Sequence, residues 1–125
     1  MFGEEESLPQ PTSLLVKQAL AYLQQNFQYP ITRQEIAEAV NTNASYLSRI
    51  FSQEVGITLW DFLARLRMQV AQELILNFSQ SKTITEIAMQ VGYNDPAYFT
   101  KVFKAHAGLS PNAYRKAHRL KRHTG

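Results

Sequence analysis

The chain has 125 residues, 45% of them hydrophobic, which is enough for one compact core or for two small cores that share an element. It has no cysteine, which excludes disulfides and cysteine-based zinc sites, and no apolar run reaches the roughly 20 residues of a membrane-spanning helix. The net charge of +3 is unevenly spread: residues 1–95 carry six Lys/Arg against ten Asp/Glu, whereas residues 96–125 carry seven Lys/Arg and no acid. This asymmetry favours a polyanionic partner for the C-terminal part, although a basic tail that only aids solubility would have the same pattern.

Residues 1–11 are acidic and lack the apolar segment of a signal peptide. We therefore expect a flexible lead-in or a linker remnant, in a cytoplasmic protein. Every later segment with a clear hydrophobic period has the spacing of an α-helix, and none alternates like a half-buried strand. The prediction is an all-α fold of seven helices, with two helix-turn-helix subdomains joined by a long linker helix.

The expected helices follow one another through short turns. Their ranges are about 12–29, 33–40, 43–56, 58–78, 83–91, 95–108 and 110–117. They divide the chain into a first subdomain (12–57), a linker helix (58–78), a second subdomain (79–117) and a basic tail that frays (118–125). The expected caps are Thr32 with Glu35 as a capping box, Asn43, Thr58, Asp95 followed by Pro96, and Ser110, with Gly56 and Gly108 ending helices.

The two subdomains contain one helix pair twice. The segments "ITRQEIAEAVNTNASYLSRIFSQEVGIT" and "TITEIAMQVGYNDPAYFTKVFKAHAGLS" align at an offset of 51 before the turn and 52 after it. Aligned pairs include Ile36/Ile87, Ala37/Ala88, Val40/Val91, Tyr46/Tyr98, Leu47/Phe99, Phe51/Phe103 and Gly56/Gly108. The inserted residue falls in the turn, where an insertion disturbs least. A repeated helix pair suggests a target that also repeats, and duplex DNA is the obvious candidate.

The second helix of each pair has a polar face opposite its apolar face, which we assign in helix 3 to Tyr46, Leu47, Ile50 and Phe51. The polar faces carry Ser45, Ser48 and Arg49 in helix 3, and Ala97, Thr100 and Lys101 in helix 6. Arg can pair with both guanine acceptors in the major groove, and small methyl groups can meet thymine. A single solvated helix would look similar, but the repetition in register favours base reading.

The linker helix of about 20 residues spans roughly 30 Å, close to the ~34 Å repeat of B-DNA. It could place helices 3 and 6 in successive major grooves, while its apolar stripe also marks it as a core helix. Helix starts and basic side chains are candidates for phosphate contacts, because free N–H groups and positive charge attract anions. These candidates are Thr32, Arg65, Lys82, Thr83, Thr85, Lys104, Ser110 and Arg115, although each alone is more often a plain cap or surface residue.

The sequence contains no pattern for catalysis. His118 and His123 have no carboxylate or cysteine partner at a metal-ligand spacing. There is no glycine-rich phosphate loop and no nucleophile–base pair, and the carboxylates of Glu54 and Glu73 are expected to be solvated. We predict a protein that is not an enzyme and that has neither a cofactor nor a metal site.

Over about residues 13–117 the chain resembles the AraC/XylS family of bacterial transcription regulators. The matching motifs, in order, are "EIAEAV", "YLSRIFSQEVGIT", "RMQVAQELI" and "ITEIAMQVGYNDPAYFTKVFKAHAGLSPNAYR". The resemblance implies two helix-turn-helix subdomains whose recognition helices enter the major groove of an asymmetric double-stranded DNA site, and regulation of transcription as the function. It implies base reading by Ser45, Ser48, Arg49, Pro96, Ala97, Thr100 and Lys101.

The second recognition helix departs from the family pattern. It opens with Pro96 and Ala97, which have no side-chain donors, and Lys101 stands where the family often has Arg with its bidentate fork. We therefore expect weaker base discrimination from helix 6 than from helix 3.

Several expectations concern what lies beyond this domain. Many family members carry a sensing, receiver or dimerisation domain, and none fits in this sequence; the stretch "EEESLPQP" resembles an interdomain linker, which favours a fragment of a longer regulator. RNA polymerase is a further expected partner, and a membrane is not. An alternative function is a helical protein-interaction module with incidental DNA affinity, which a steep salt dependence of DNA binding would exclude.

Overall fold

The computed structural model describes residues 13–77 and 82–124, with side chains as far as residue 119. These residues form seven α-helices and no strand, which confirms the predicted all-α fold. The helices are α1 Leu14–Asn26, α2 Arg33–Ala39, α3 Ala44–Val55, α4 Leu59–Ile75, α5 Ile84–Gln90, α6 Pro96–Ala107 and α7 Pro111–Thr124. None of the helices in the described ranges combines the length and the apolar character needed to cross a bilayer. The lead-in expected at residues 1–11 lies outside the described residues.

The helices begin at the polar residues that the sequence predicts as caps. Thr32 accepts a hydrogen bond from the Glu35 N–H at 3.1 Å, and Glu35 accepts one from the Thr32 N–H at 2.9 Å, which completes the capping box. Thr83 and Glu86 form a second capping box, at 3.1 and 2.8 Å, which we did not predict. The other caps are Ser13 for α1, Asn43 for α3, Thr58 for α4, Asp95 for α6 and Ser110 for α7.

Two helix ends match the prediction and one does not. Gly56 and Gly108 follow α3 and α6 with φ of 90° and 83°, a left-handed conformation that glycine adopts without strain. However, α4 ends at Ile75 rather than at residue 78, so that its 17 residues span about 25 Å instead of 30 Å. A turn in which the Asn77 N–H donates to the Leu74 carbonyl at 3.2 Å closes this end.

The last helix, α7, is longer than predicted. We expected the chain to fray from residue 118, but α7 continues to Thr124. The segment between Pro111 and Gly125 contains neither glycine nor proline, and its Lys, Arg, Leu and Ala residues favour helix. His118 supports the helix as well, since its Nδ1 lies 2.9 Å from the Tyr114 carbonyl oxygen one turn earlier.

The chain divides into two compact units, residues 1–66 and 67–125, and the division falls within α4. In the first unit, α1, α2 and α3 pack on one another and on the first half of α4. Near the centre of this unit, the rings of Phe51 and Phe62 meet edge to face at 5.9 Å between centroids. The most buried residues of this core are Val16, Ala19, Leu23, Ile36, Ala37, Leu47, Phe51 and Val55.

In the second unit, α5, α6 and α7 surround a core that includes the second half of α4. Its buried residues are Met68, Ala71, Ile75, Ile87, Ala88, Val91, Phe99 and Phe103. An aromatic row runs through it: successive ring centroids of Tyr93, Phe99, Phe103, Tyr114 and His118 are 5.6, 5.9, 5.4 and 4.2 Å apart. The row holds α6 and α7 together through aromatic contacts.

Candidate nucleic-acid interface

The turns that precede α3 and α6 have the same backbone geometry. In the first turn, Asn41 has a φ of 59°, and the N–H of Thr42 donates to the carbonyl five residues earlier at 2.9 Å. In the second turn, Gly92 has a φ of 102°, and the N–H of Tyr93 makes the equivalent bond at 2.9 Å. Asn and Gly are the residues that tolerate this left-handed conformation best. The sequence repeat is therefore also a repeat of backbone structure, with the inserted residue placed after the shared hydrogen bond.

The outer side of α3 presents the three residues predicted to read bases. Ser45 and Arg49 are exposed and Ser48 is half-buried. The guanidinium carbon of Arg49 lies 5.3 Å from the centroid of the Tyr46 ring, which is a cation–π contact. A contact of this kind restricts the rotamers of an arginine, so that less side-chain freedom would be lost if the guanidinium bound a target.

The position of Tyr46 corrects the sequence analysis, which placed this residue on the apolar face of α3. Tyr46 is 40% exposed, whereas Leu47 and Phe51 on the apolar face are buried. Its repeat equivalent Tyr98 is 56% exposed on α6. A tyrosine at the border of an apolar face suits core and surface alike, since it combines an apolar ring with a polar tip. Both tyrosines therefore lie beside the candidate base-reading residues, a feature that helical periodicity alone does not reveal.

The outer side of α6 is less polar than that of α3. Ala97 and Lys101 are exposed, whereas Pro96 and Thr100 are half-buried. Before Lys101, this surface consists of the apolar groups of Pro96 and Ala97 and the half-buried side chain of Thr100. Methyl groups of this kind can contact a thymine methyl but cannot hydrogen-bond to base edges.

The second turn is packed against α4 through Arg67 and Tyr93. The guanidinium carbon of Arg67 lies 5.5 Å from the centroid of the Tyr93 ring. Burial lowers the pKa of Arg67 and raises the pKa of Tyr93, and the interaction between the two side chains opposes both shifts. The Tyr93 ring also lies 6.0 Å from that of Tyr98, which connects the turn to the first turn of α6. Sequence reasoning did not single out this pair.

The threonine and serine candidates for phosphate binding act as helix caps in the structure. The hydroxyls of Thr32, Thr83 and Ser110 accept hydrogen bonds from N–H groups in the first turns of their own helices. The carboxylates of Glu35 and Glu86 accept hydrogen bonds from the N–H groups of Thr32 and Thr83. These two N–H donors therefore already have a partner within the protein. Of the other candidates, Thr85 and Lys104 are exposed, and Arg65 and Lys82 are half-buried.

Arg115 has a structural contact that the sequence did not predict. Its Nη2 donates to the carbonyl of Lys82 at 2.6 Å, and its Nε donates to the carbonyl of Ile75 at 3.4 Å. Burial, and secondarily the positive charge of Arg119, lowers the pKa of Arg115. The side chain thus ties α7 to the last turn of α4 and to the residue before the Thr83 cap. A phosphate contact by Arg115 stays a prediction and would use its remaining N–H groups.

Charge differs sharply between the two units. Residues 1–66 hold four Lys/Arg and seven Asp/Glu, a net charge of −3, whereas residues 67–125 hold nine Lys/Arg and three Asp/Glu, a net charge of +6. In the second unit, Lys101, Lys104 and Lys116 are exposed. An excess of exposed positive charge raises the affinity for a polyanion irrespective of its sequence.

Comparison with known proteins gives one consistent assignment. Residues 36–117 match the family model described as a helix-turn-helix domain. The chain is 33% identical over 100 residues to the lactose operon transcription activator of Staphylococcus xylosus, covering 80% of this chain and 35% of that protein. It is 40% identical to the solved C-terminal domain of AraT, a response regulator from Geobacillus stearothermophilus, with a TM-score of 0.79 and coverage of 84% and 86%. The DNA-binding domain of AdpA, solved with a target DNA, has the same fold, with a TM-score of 0.82 at 23% identity and coverage of 90% and 100%.

Two helix-turn-helix motifs of one design within a single chain define a class of tandem helix-turn-helix domains. The chain belongs to the AraC-type helix-turn-helix family of transcription regulators, as its sequence motifs led us to expect. This family consists of DNA-binding regulators and not of enzymes. The chain spans 35% to 39% of the length of the first curated relatives it matches.

Proposed function

We propose that this domain binds double-stranded DNA in a sequence-specific manner and regulates transcription, with α3 and α6 as recognition helices in successive major grooves. The observation that carries the proposal is the repeat of the helix-turn-helix backbone together with an exposed face on each second helix. A helix fits the B-DNA major groove, where each base pair presents a distinct hydrogen-bonding pattern. Since α4 has 17 residues, its length is further from the ~34 Å repeat of B-DNA than the sequence predicted. The placement of α3 and α6 in successive grooves is therefore supported mainly by the repeated helix pair.

The two recognition helices have different tasks in this proposal. Arg49, held over Tyr46, is the main reader of a base edge, with Ser45 and Ser48 as adaptable partners. The second helix contributes shape and methyl contacts through Pro96, Ala97 and Thr100, together with the positive charge of Lys101. The proposed phosphate contacts are Thr32, Arg65, Lys82, Thr83, Thr85, Lys104, Ser110 and Arg115.

The domain is proposed to work as part of a larger cytoplasmic regulator. The aligned segments cover only 35% and 39% of two curated relatives, and one solved relative is described as the C-terminal domain of a response regulator. A sensing or receiver domain outside this sequence would fit both facts. RNA polymerase is proposed as the partner through which DNA binding changes transcription.

The experiment that tests the function is selection of bound sequences from a randomised duplex library at near-physiological salt. We expect two short conserved blocks about one helical turn apart, with the block assigned to α3 more sharply defined. The variants Arg49→Ala and Lys101→Ala, at equivalent positions of the repeat, show which helix reads which block. Each variant should weaken the sequence preference only in the block that its own helix contacts.

Other outcomes of the selection correct the proposal in defined ways. One block alone would mean that α3 reads bases and α6 mainly anchors the domain. No enrichment, combined with a salt dependence well below a slope of ~0.9 per neutralised phosphate, would favour the protein-interaction module instead.

A further inference from the structure

Ser13, the N-cap of α1, and the recognition helix of the first unit are joined by a side-chain contact. Both the backbone N–H and the hydroxyl of Ser13 donate to Oε1 of Glu54, each at 3.0 Å. Ser13 caps α1, and Glu54 lies in the last turn of α3, 41 residues further along the chain. This corrects the expectation of a solvated Glu54 carboxylate, because the contact is partly buried.

The place of Glu54 in α3 is unfavourable for an acid. Carbonyl groups at a helix C-terminus carry partial negative charge, so a carboxylate there is repelled and a basic group is favoured. The second copy follows this rule, since His106 occupies the position equivalent to Glu54 in the last turn of α6 and is exposed. A carboxylate in the first copy therefore needs a local partner, and the two donors of Ser13 provide one.

We propose that Glu54 is a positioning residue that fixes recognition helix α3 to the N-terminal end of α1. The inference rests on the proposed function and adds a positioning residue to it. The Ser13–Glu54 contact joins the start of α1 to the last turn of α3, so its loss should leave α3 less firmly fixed. The equivalent position of α6 carries His106, so the second recognition helix does not repeat this carboxylate.

The sign of the effect on DNA affinity separates this role from simple electrostatics. An acid near a polyanion weakens binding, so its removal alone should strengthen binding. A positioning residue has the opposite effect, because a less fixed α3 loses more freedom on binding.

The test measures the DNA affinity of Glu54→Leu and Ser13→Asp under conditions in which urea denaturation shows each variant to be fully folded. Aspartate keeps the α1 cap but repels Glu54. We expect each variant to bind the selected duplex roughly three- to tenfold more weakly than the parent. The double variant Ser13→Asp/Glu54→Gln should recover most of this loss, because glutamine can donate to the new carboxylate. His106→Leu, at the equivalent position in α6, is the matched control and should not show a loss assigned to the first block.

A second duplex, with the α3 block scrambled, provides a readout that a purely structural role would not move. Glu54→Leu should bind this duplex at least as tightly as the parent, since only the contribution of α3 to the intact site is impaired and the loss of an acidic charge favours binding to any DNA. Glu54→Leu binding the intact site as tightly as the parent or more tightly would overturn the inference and leave the proposed function standing. Equal weakening on both duplexes would also overturn it. A parent that binds no duplex specifically would end both proposals.

Discussion

Arg49 is exposed and also held by a neighbouring side chain. Its guanidinium carbon lies 5.3 Å from the centroid of the Tyr46 ring, on the exposed side of α3. Lys101, its counterpart on α6, is a flexible point charge without the planar fork that matches two guanine acceptors. The difference between these two side chains accounts for the expected difference in base discrimination.

Replacing Arg49 by alanine should weaken binding to the specific site by roughly 1–3 kcal/mol and relax the preference at one base pair. Binding to unrelated DNA should change much less, because the variant loses only one positive charge that could neutralise a phosphate there. Arg49→Lys should retain the charge but lose most of the preference. Titration of matched and singly substituted duplexes checks this, with Lys17→Ala on the exposed side of α1 as the control for charge loss. Unchanged specificity in Arg49→Ala would remove Arg49 from the reading set.

Arg115 should act mainly on stability. Arg115→Ala leaves the carbonyls of Ile75 and Lys82 without their charged donor, and we expect the second unit to lose about 2–3 kcal/mol of unfolding free energy. Arg115→Lys should lose nearly as much, since one ammonium group cannot reproduce the fork. Urea denaturation followed by circular dichroism measures the effect, with exposed Lys116→Ala as the control. A stable Arg115→Ala that binds DNA weakly would instead support the phosphate contact.

At the scale of elements, the two copies begin their first helices with the same signal and form similar turns from different residues. Capping boxes begin α2 and α5, and left-handed residues follow both helices, Asn41 in one copy and Gly92 in the other. These features depend on contacts within a few residues, which explains why two sequences with few identities build one backbone shape. Their conformation fixes the angle at which α3 and α6 leave their turns.

The capping box of α5 makes stability depend on pH. Hydrogen bonds from the Thr83 N–H, and then from its hydroxyl, lower the pKa of Glu86 below its ordinary value of 4.5. Because the folded pKa is lower than the unfolded one, this stabilisation is complete above 4.5 and is lost as the pH falls through the folded pKa. Glu86→Gln should therefore be less stable than the parent at neutral pH, and the difference should shrink in acid. Urea midpoints across this range measure it, and a difference that stays constant with pH would show that the Glu86 charge does not contribute to the stabilisation.

At the scale of the whole molecule, the chain consists of two units with separate cores and opposite net charge. The first unit supplies the helix with the richer set of hydrogen-bonding side chains, and the second supplies most of the positive charge. In the proposed function, base reading therefore depends mainly on the first unit and sequence-independent attraction mainly on the second, so that substitutions should alter one without the other.

Truncation of the equivalent core residues Phe51 and Phe103 should affect different units. Both rings are fully buried, so each change to alanine should cost about 3–5 kcal/mol of unfolding free energy. Trp60, the single tryptophan, lies in the first unit and reports its unfolding by fluorescence. Phe51→Ala should lower the fluorescence midpoint in urea, whereas Phe103→Ala should act mainly on the remaining helical signal. Identical shifts of both signals in both variants would show that the units unfold together.

Sequence by itself determined the features that depend on neighbouring residues. The all-α class, the repeated helix pair, the caps at Asn43 and Asp95 and the glycine ends of α3 and α6 all follow from signals that act within one helical turn. The family could also be recognised, because its motifs combine these local signals with a fixed order.

Only the tertiary structure decided the contacts between distant residues. Ser13 meets Glu54 across 41 residues, and Arg115 reaches two carbonyls 33 and 40 residues away. The exposure of Tyr46 likewise depends on which neighbours fill the core beneath it. Helical period specifies the direction in which a side chain leaves its own helix, but its partners are selected by the packing of other helices, which no local pattern encodes.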